Sequence, residues 1–137
     1  MKNRNECIDI VCRGLKKEFS PQLIYLFGSF AANKENDSSD IDVAILCEKR
    51  IDPVKLFDFQ LSLGYLVNRD VDLIDLNNTD ILFKMQIISS RHPIYESSSE
   101  FRYEFEMKAI SEYVKFNEER EIIFEKKLGV SGGGIWK

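Results

Sequence analysis

Apolar positions along the chain change period several times, and each change marks an element. Over residues 5 to 19, Ile8, Val11, Cys12, Leu15 and Phe19 recur at helical offsets, with Asn5, Glu6, Asp9, Arg13, Lys16 and Lys17 between them. That spacing predicts an amphipathic helix laying one face on a sheet. Acidic residues come early and Lys16-Lys17 late, in the sense that suits the helix dipole, and Ser20-Pro21 ends the helix. The run Leu23-Ile24-Tyr25-Leu26-Phe27 is short, β-branched and aromatic and closes at Gly28, which predicts a buried strand. Ser29 is then expected to cap a short helical segment, Phe30-Ala31-Ala32. A polar loop over 34–39 follows, and a second strand, Val43-Ala44-Ile45-Leu46, is entered through Asp40 and Asp42.

Asp52-Pro53 supplies an N-cap and a first-turn proline for a helix running to about Val67. Leu56, Phe59, Leu63 and Val67 form one stripe of that helix, with Phe57 and Leu61 on another, so burial on two sides is expected, against the sheet and against a partner. Asn68-Arg69-Asp70 reads as a turn into a third strand, Val71-Asp72-Leu73-Ile74-Asp75-Leu76. Residues 79–90 predict another helix and Arg91-His92-Pro93-Ile94-Tyr95 a short last strand. Ser97 and Glu100 match a capping box for a long C-terminal helix, one face of which carries Tyr103, Met107, Ile110 and Val114. Tyr113, Phe116, Ile122, Ile123 and Phe124 extend its apolar surface beyond what a small sheet can cover, which makes that helix a candidate both for core and for a binding face. The fold class is α/β (α+β), a small mixed β-sheet flanked by helices. The expected division is a core over 1–96, the C-terminal helix over 97–128 packing on the core or on a partner, and a flexible tail over 129–137.

Composition narrows the functions such a fold can have. The 137 residues are 44% hydrophobic, enough for one core, and carry 19 Lys plus Arg against 23 Asp plus Glu, a net charge of −4. The basic residues are dispersed, so a broad nucleic-acid surface is not expected. Lys34, Arg69 and Arg91 are the basic side chains placed to touch phosphates, and each is read as solvated surface charge. Cys7, Cys12 and Cys47 are odd in number and sit in apolar patterns, as reduced, buried thiols of a cytoplasmic protein do. Neither a signal peptide nor a membrane span is expected. The lone His92 has no second histidine or paired cysteine near it in sequence, so it reads as a structural or surface residue.

The chemistry concentrates in residues 25–46. Gly28 permits close approach of backbone to a ligand, and the free N–H groups of the turn at Ser29 suit an anion such as a triphosphate. Asp40 and Asp42, two residues apart at the mouth of a strand, project to one side, while Ile41 and Val43 point into the core. Like charges at that spacing repel, and a divalent cation removes the conflict; Mg²⁺ is commonly held by one or two carboxylates plus substrate phosphates. In the third strand, parity separates the acids: Asp72 shares a face with Ile74 and Leu76, and Asp75 points the other way. Only one of them can join Asp40 and Asp42 directly.

Gly28-Ser29, ten residues, then Asp40-Ile41-Asp42 resembles the signature of the polymerase-beta-like nucleotidyltransferase superfamily, over residues 23–76. The short chain further resembles the minimal nucleotidyltransferase branch, many members of which are antitoxins paired with a HEPN-domain toxin. Asn33 stands where many relatives carry glycine, and Asn tolerates a left-handed helix end almost as well. The resemblance implies a polymerase-beta-like fold in which Asp72 is the third carboxylate. It implies that Asp40, Asp42 and Asp72 hold two Mg²⁺ ions, that Gly28 and Ser29 seat the β and γ phosphates of ATP, and that Asp72 draws the proton from an attacking hydroxyl. The implied acceptor is a tyrosine hydroxyl of a HEPN RNase toxin. A non-catalytic antitoxin and an antibiotic-type small-molecule transferase are the rival readings.

Overall fold

A computed structural model describes residues 3–31, 39–90 and 92–128. Asn33, Lys34, Arg91, all of the 34–39 loop but Ser39, and the tail at 129–137 lie outside the described residues. The elements run α1 (Arg4–Phe19), β1 (Leu23–Phe27), α2 (Gly28–Ala31), β2 (Ile41–Leu46), α3 (Pro53–Val67), β3 (Val71–Asp75), a 3₁₀ turn (Leu76–Asn78), α4 (Ile81–Ser89), β4 (Pro93–Glu96) and α5 (Ser99–Leu128). The four strands form one mixed sheet in the order β3-β2-β1-β4. β1 pairs antiparallel with both β2 and β4, whereas β2 and β3 run parallel. A parallel pair needs a crossover, and α3 supplies it.

Helices cover both faces of this sheet. On one face α1 and α3 bury Val11, Leu15, Leu63 and Val67 against Ile24, Leu26, Val43, Ile45 and Leu73. On the other, Leu23, Tyr25, Ala44, Leu46, Leu76 and Ile87 pack with Phe83 of α4 and with Phe101 and Phe105 of α5. Both faces being covered explains why β1 and β2 are apolar almost without interruption. β4 lies at the sheet edge, where Pro93 removes a backbone donor without breaking a ladder.

The helix ends have local causes, some as expected and some not. Asn3 caps α1 by accepting from the Glu6 N–H at 2.9 Å. Asp52 caps α3, and Asn68 closes it in a left-handed conformation at φ 56°. α2 begins at Gly28 itself, so Ser29 lies inside its first turn and is not the cap. The cap of α5 is Ser98, whose Oγ accepts from the Phe101 N–H at 3.0 Å, one residue beyond the expected Ser97. The structure settles which stripe of α5 turns inward. Phe101, Phe105 and Ala109 face the core, while Tyr103, Met107, Ile110 and Val114 are exposed. Cys7 and Cys47 are buried free thiols and Cys12 is a half-buried one.

Two polar arrangements, one partly buried and one buried, hold the layers in register. Tyr25 is fully buried and its hydroxyl donates to Glu106 Oε2 at 2.5 Å. Arg102 donates to that carboxylate at 3.3 Å and to Glu96 at 2.8 Å, which ties α5 to β1 and β4 at once. Burial and the adjacent Glu106 carboxylate push the Tyr25 hydroxyl pKa up, so the phenol stays a donor. Asp75, also buried, accepts from the Ile51 N–H at 2.8 Å and from the Asn77 N–H at 2.9 Å. It is a structural staple between the end of β3 and the entry to α3. Replacing Asp75 with Ala leaves both N–H groups without that acceptor and is expected to lower stability by about 2 kcal/mol, read as a lower urea midpoint at unchanged slope.

Candidate active site

The carboxyl end of β1, the amino end of β2 and the start of β3 meet at one corner of the sheet. β2 and β3 pair in parallel with Asp42 opposite Asp72, and β1 places Phe27 opposite Asp42 on the other side. In-register neighbours share a face, so Asp42 and Asp72 project together, on the side that carries Ala44 and Ile74. Asp40, immediately before β2, stands two residues from Asp42 and is exposed. Asp72 is exposed and Asp42 half-buried. The structure therefore brings Asp40, Asp42 and Asp72 to one spot and takes Asp75 to the opposite face, as the parity of β3 requires.

Gly28 borders this group directly. Its φ is +70°, a left-handed value that favours glycine, and a Cβ there would lie 2.2 Å from Asp42 Oδ2. Any side chain at 28 would thus collide with the carboxylate it adjoins. Gly28 is exposed and Ser29 half-buried, so the bend is open to solvent. The short helix behind it is held from below: Phe30 is fully buried, and its carbonyl accepts from Arg4 Nη2 at 2.9 Å.

The electrostatics follow from that crowding. Burial first, then the neighbouring charges of Asp72 and Asp40, push the Asp42 carboxyl pKa from 3.8 up to about 6. Among the described residues no group of three His, Cys, Asp or Glu side chains is placed to hold a metal ion as it stands. Hard carboxylate oxygens, one of them driven toward protonation beside an open glycine bend, are a donor set that fits Mg²⁺.

Arg69 is the residue that sequence reasoning undervalued. It is half-buried, its guanidinium sits 5.0 Å from the centre of the Phe30 ring, and its Nη1 donates to the Ser39 carbonyl at 3.1 Å. It is not free surface charge, and its place beside the third acid-bearing strand was the available signal. His92 stays outside the site: it is exposed and its ring Nδ1 bonds the Ser90 carbonyl at 2.7 Å. A cleft of about 450 Å³ between α5 and the far end of β2, lined in part by Leu46, Lys84 and Phe105, lies a strand's length from the acids.

Family comparison agrees with the geometry. The family described as Polymerase beta, Nucleotidyltransferase matches residues 11–100. The chain belongs to the polymerase beta nucleotidyltransferase family. The chain is similar to the protein adenylyltransferase MntA of Shewanella oneidensis, 28% identical over 123 residues spanning 90% of this chain and 86% of that one. Among solved structures, a toxin–antitoxin crystal structure with AMP-PNP superposes with a TM-score of 0.73 at 27% identity, covering 93% of this chain and 99% of that chain. A tri-AMPylated Shewanella oneidensis HEPN toxin in complex with its MNT antitoxin gives a match with a TM-score of 0.67 at 26% identity, covering 91% and 95%. No described helix of this nucleotidyltransferase is long and apolar enough to cross a membrane.

The raised pKa of Asp42 has a signed consequence. With a folded pKa near 6 and an unfolded one near 3.8, the native state binds the extra proton between those values. The stability contributed by that proton is complete below about pH 4 and is lost as pH rises through 6. Asp42→Asn is therefore expected to melt higher than the parent protein at pH 7.5 without divalent ions, by about 3 °C, and to lose that advantage toward pH 4. Thermal unfolding at the two pH values checks it; a constant difference, or one of opposite sign, contradicts it.

Proposed function

We propose that this chain is an Mg²⁺-dependent protein adenylyltransferase that acts as an antitoxin in the cytoplasm, moving AMP from ATP to a tyrosine hydroxyl of a HEPN RNase toxin. The observation that carries the reading is the meeting of Asp40, Asp42 and Asp72 beside the open Gly28 bend. The likeness to MntA and to an antitoxin bound to a tri-AMPylated HEPN toxin supports the choice of acceptor. The likeness to a complex with AMP-PNP supports ATP as the nucleotide donor.

In this reading Asp40, Asp42 and Asp72 hold two Mg²⁺ ions. The bound cations supply positive charge where the triphosphate and the exchanging oxygens become more negative. The backbone N–H groups at Gly28 and Ser29, with the Ser29 hydroxyl, seat the β and γ phosphates. Asp42, relieved of its proton, would offer its carboxylate to the cations that offset the charge of the triphosphate. Asp72, the more exposed of the paired acids, takes the proton from the tyrosine hydroxyl as its oxygen bonds to the α-phosphorus; the bond to the β-phosphate oxygen breaks and pyrophosphate leaves. Positioning supplies most of the acceleration, because the carboxylates are fixed by strands before substrate arrives.

A partner must bring the acceptor, and the helices have apolar surface to receive one. α3 exposes Val54, Phe57, Leu61 and Tyr65, and α5 exposes Tyr103, Met107, Ile110 and Val114. Each set lies along one side of its helix, the pattern of a docking face. We assign the C-terminal helix, residues 97–128, a double role in which one stripe packs on the core and the other meets the partner.

The decisive experiment mixes the chain with its proposed HEPN toxin partner, ATP and Mg²⁺, and weighs both proteins. One or more AMP units on the toxin are expected. Asp40→Ala and Asp42→Ala are expected to reduce the transfer rate by about a thousandfold or more, while Asp75→Ala keeps it in the folded fraction. Protection of cells by the Asp40 and Asp42 variants at parental strength would replace catalysis with occlusion as the mode of neutralisation. AMP appearing on a small molecule with no protein present would favour the antibiotic-type transferase.

A further inference from the structure

We infer that Arg69 is a positioning residue that brackets the nucleotide site, holding the entry to β2 against the Gly28–Ala31 helix so that Asp40 and Asp42 keep their place opposite Asp72. The inference rests on the metal-holding role given above to those three acids.

The bracket begins with a turn whose backbone is fixed. Asn68 adopts a left-handed conformation, and the Arg69 N–H donates to the Gly64 carbonyl at 3.2 Å. A Cβ at Gly64 would lie 2.9 Å from the Arg69 carbonyl oxygen, so only glycine lets the turn close this tightly. One residue on, the Asp70 carbonyl accepts from the Ile41 N–H at 2.9 Å and pins the first residue of β2. From this base the Arg69 side chain spans two elements. Its guanidinium lies over the ring of Phe30, which is fully buried, and it donates to the Ser39 carbonyl.

Both contacts act where the site is weakest. Asp40 precedes the strand and has no ladder of its own, while repulsion from Asp42 and Asp72 drives it outward. A hydrogen bond to the carbonyl just before Asp40 opposes that drift, because a planar guanidinium held on an aromatic face is a stiff donor. Phe30 follows Ser29, so the same side chain also references the phosphate-seating turn to the carboxylates. Arg69 acts through the placement of other groups and is not required to touch substrate.

The test uses the full chain, with Arg69→Ala and Arg69→Lys beside the parent. Amide hydrogen exchange, measured without nucleotide or metal, is expected to quicken about tenfold at residues 40–42 in Arg69→Ala and to stay unchanged at Ile24 and Ile45. The Mg²⁺ concentration giving half-maximal AMP transfer is expected to rise about tenfold, with the rate at saturating Mg²⁺ falling less than about threefold. Arg69→Lys, which keeps a donor and a cation over the ring, recovers most of both effects. Unchanged exchange at 40–42 overturns the inference, as does faster exchange across the whole sheet, which marks general destabilisation. A raised KM for ATP with an unaltered Mg²⁺ requirement also overturns it, because that is the mark of direct phosphate contact. The exchange measurement does not depend on the reaction, so failure of the adenylyltransferase reading and failure of the bracket are told apart.

Discussion

Gathering three carboxylates at one corner of a small sheet opposes their mutual repulsion, and the rest of the molecule is arranged around sustaining it. The parallel pairing of β2 with β3 sets Asp42 against Asp72 in register, and the crossover through α3 makes that pairing possible. Gly28 removes the side chain that would occupy the space of the Asp42 carboxylate. The burial that keeps Asp42 in place also raises its proton affinity. A site of this kind is poised: it is least comfortable when fully ionised, and it gains most from a cation.

The two covering layers divide the labour. α1 and α3 supply most of the apolar packing beneath the sheet and hold Phe30, hence the bend, from below. α4 and α5 cover the other face, with Phe83 of α4 reaching Phe27 at the end of β1, while Asp40 and Asp72 stay exposed. Tyr25, Glu106, Arg102 and Glu96 form one partly buried chain of charge-assisted bonds, and this chain sets how α5 lies on β1 and β4. Its geometry directs one stripe of α5 inward and leaves Tyr103, Met107, Ile110 and Val114 to solvent. The toxin proposed as partner would thus meet a helix whose tilt is already fixed by the enzyme's own core.

Much of this was legible in the residues because the informative signals are local. Strand parity separated Asp72 from Asp75, and the sheet register agrees: Asp75 turned out to be a buried acceptor of two backbone N–H groups. Gly28-Ser29 marked the bend, although the reason for glycine, a clash with Asp42, needs the third dimension. The orientation of α5 was not legible. Its sequence carries two stripes, Phe101-Phe105-Ala109 and Tyr103-Met107-Ile110-Val114, and helical periodicity ranks them equally. What decides between them is the Tyr25–Glu106 bond, made across 81 positions of sequence. Arg69 was read as surface charge for a similar reason: its contacts on Phe30 and Ser39 join residues distant in the chain.

The account is most directly tested by carbon-13 NMR titration of the Asp42 carboxyl in the full chain, free of divalent ions, in the parent protein and in Asp72→Asn. A midpoint near 6 is expected in the parent. It should fall in the variant, yet stay above 3.8, because burial is the larger cause and remains. A parent midpoint near 3.8, or one indifferent to the loss of Asp72, would contradict a site built on crowded carboxylates.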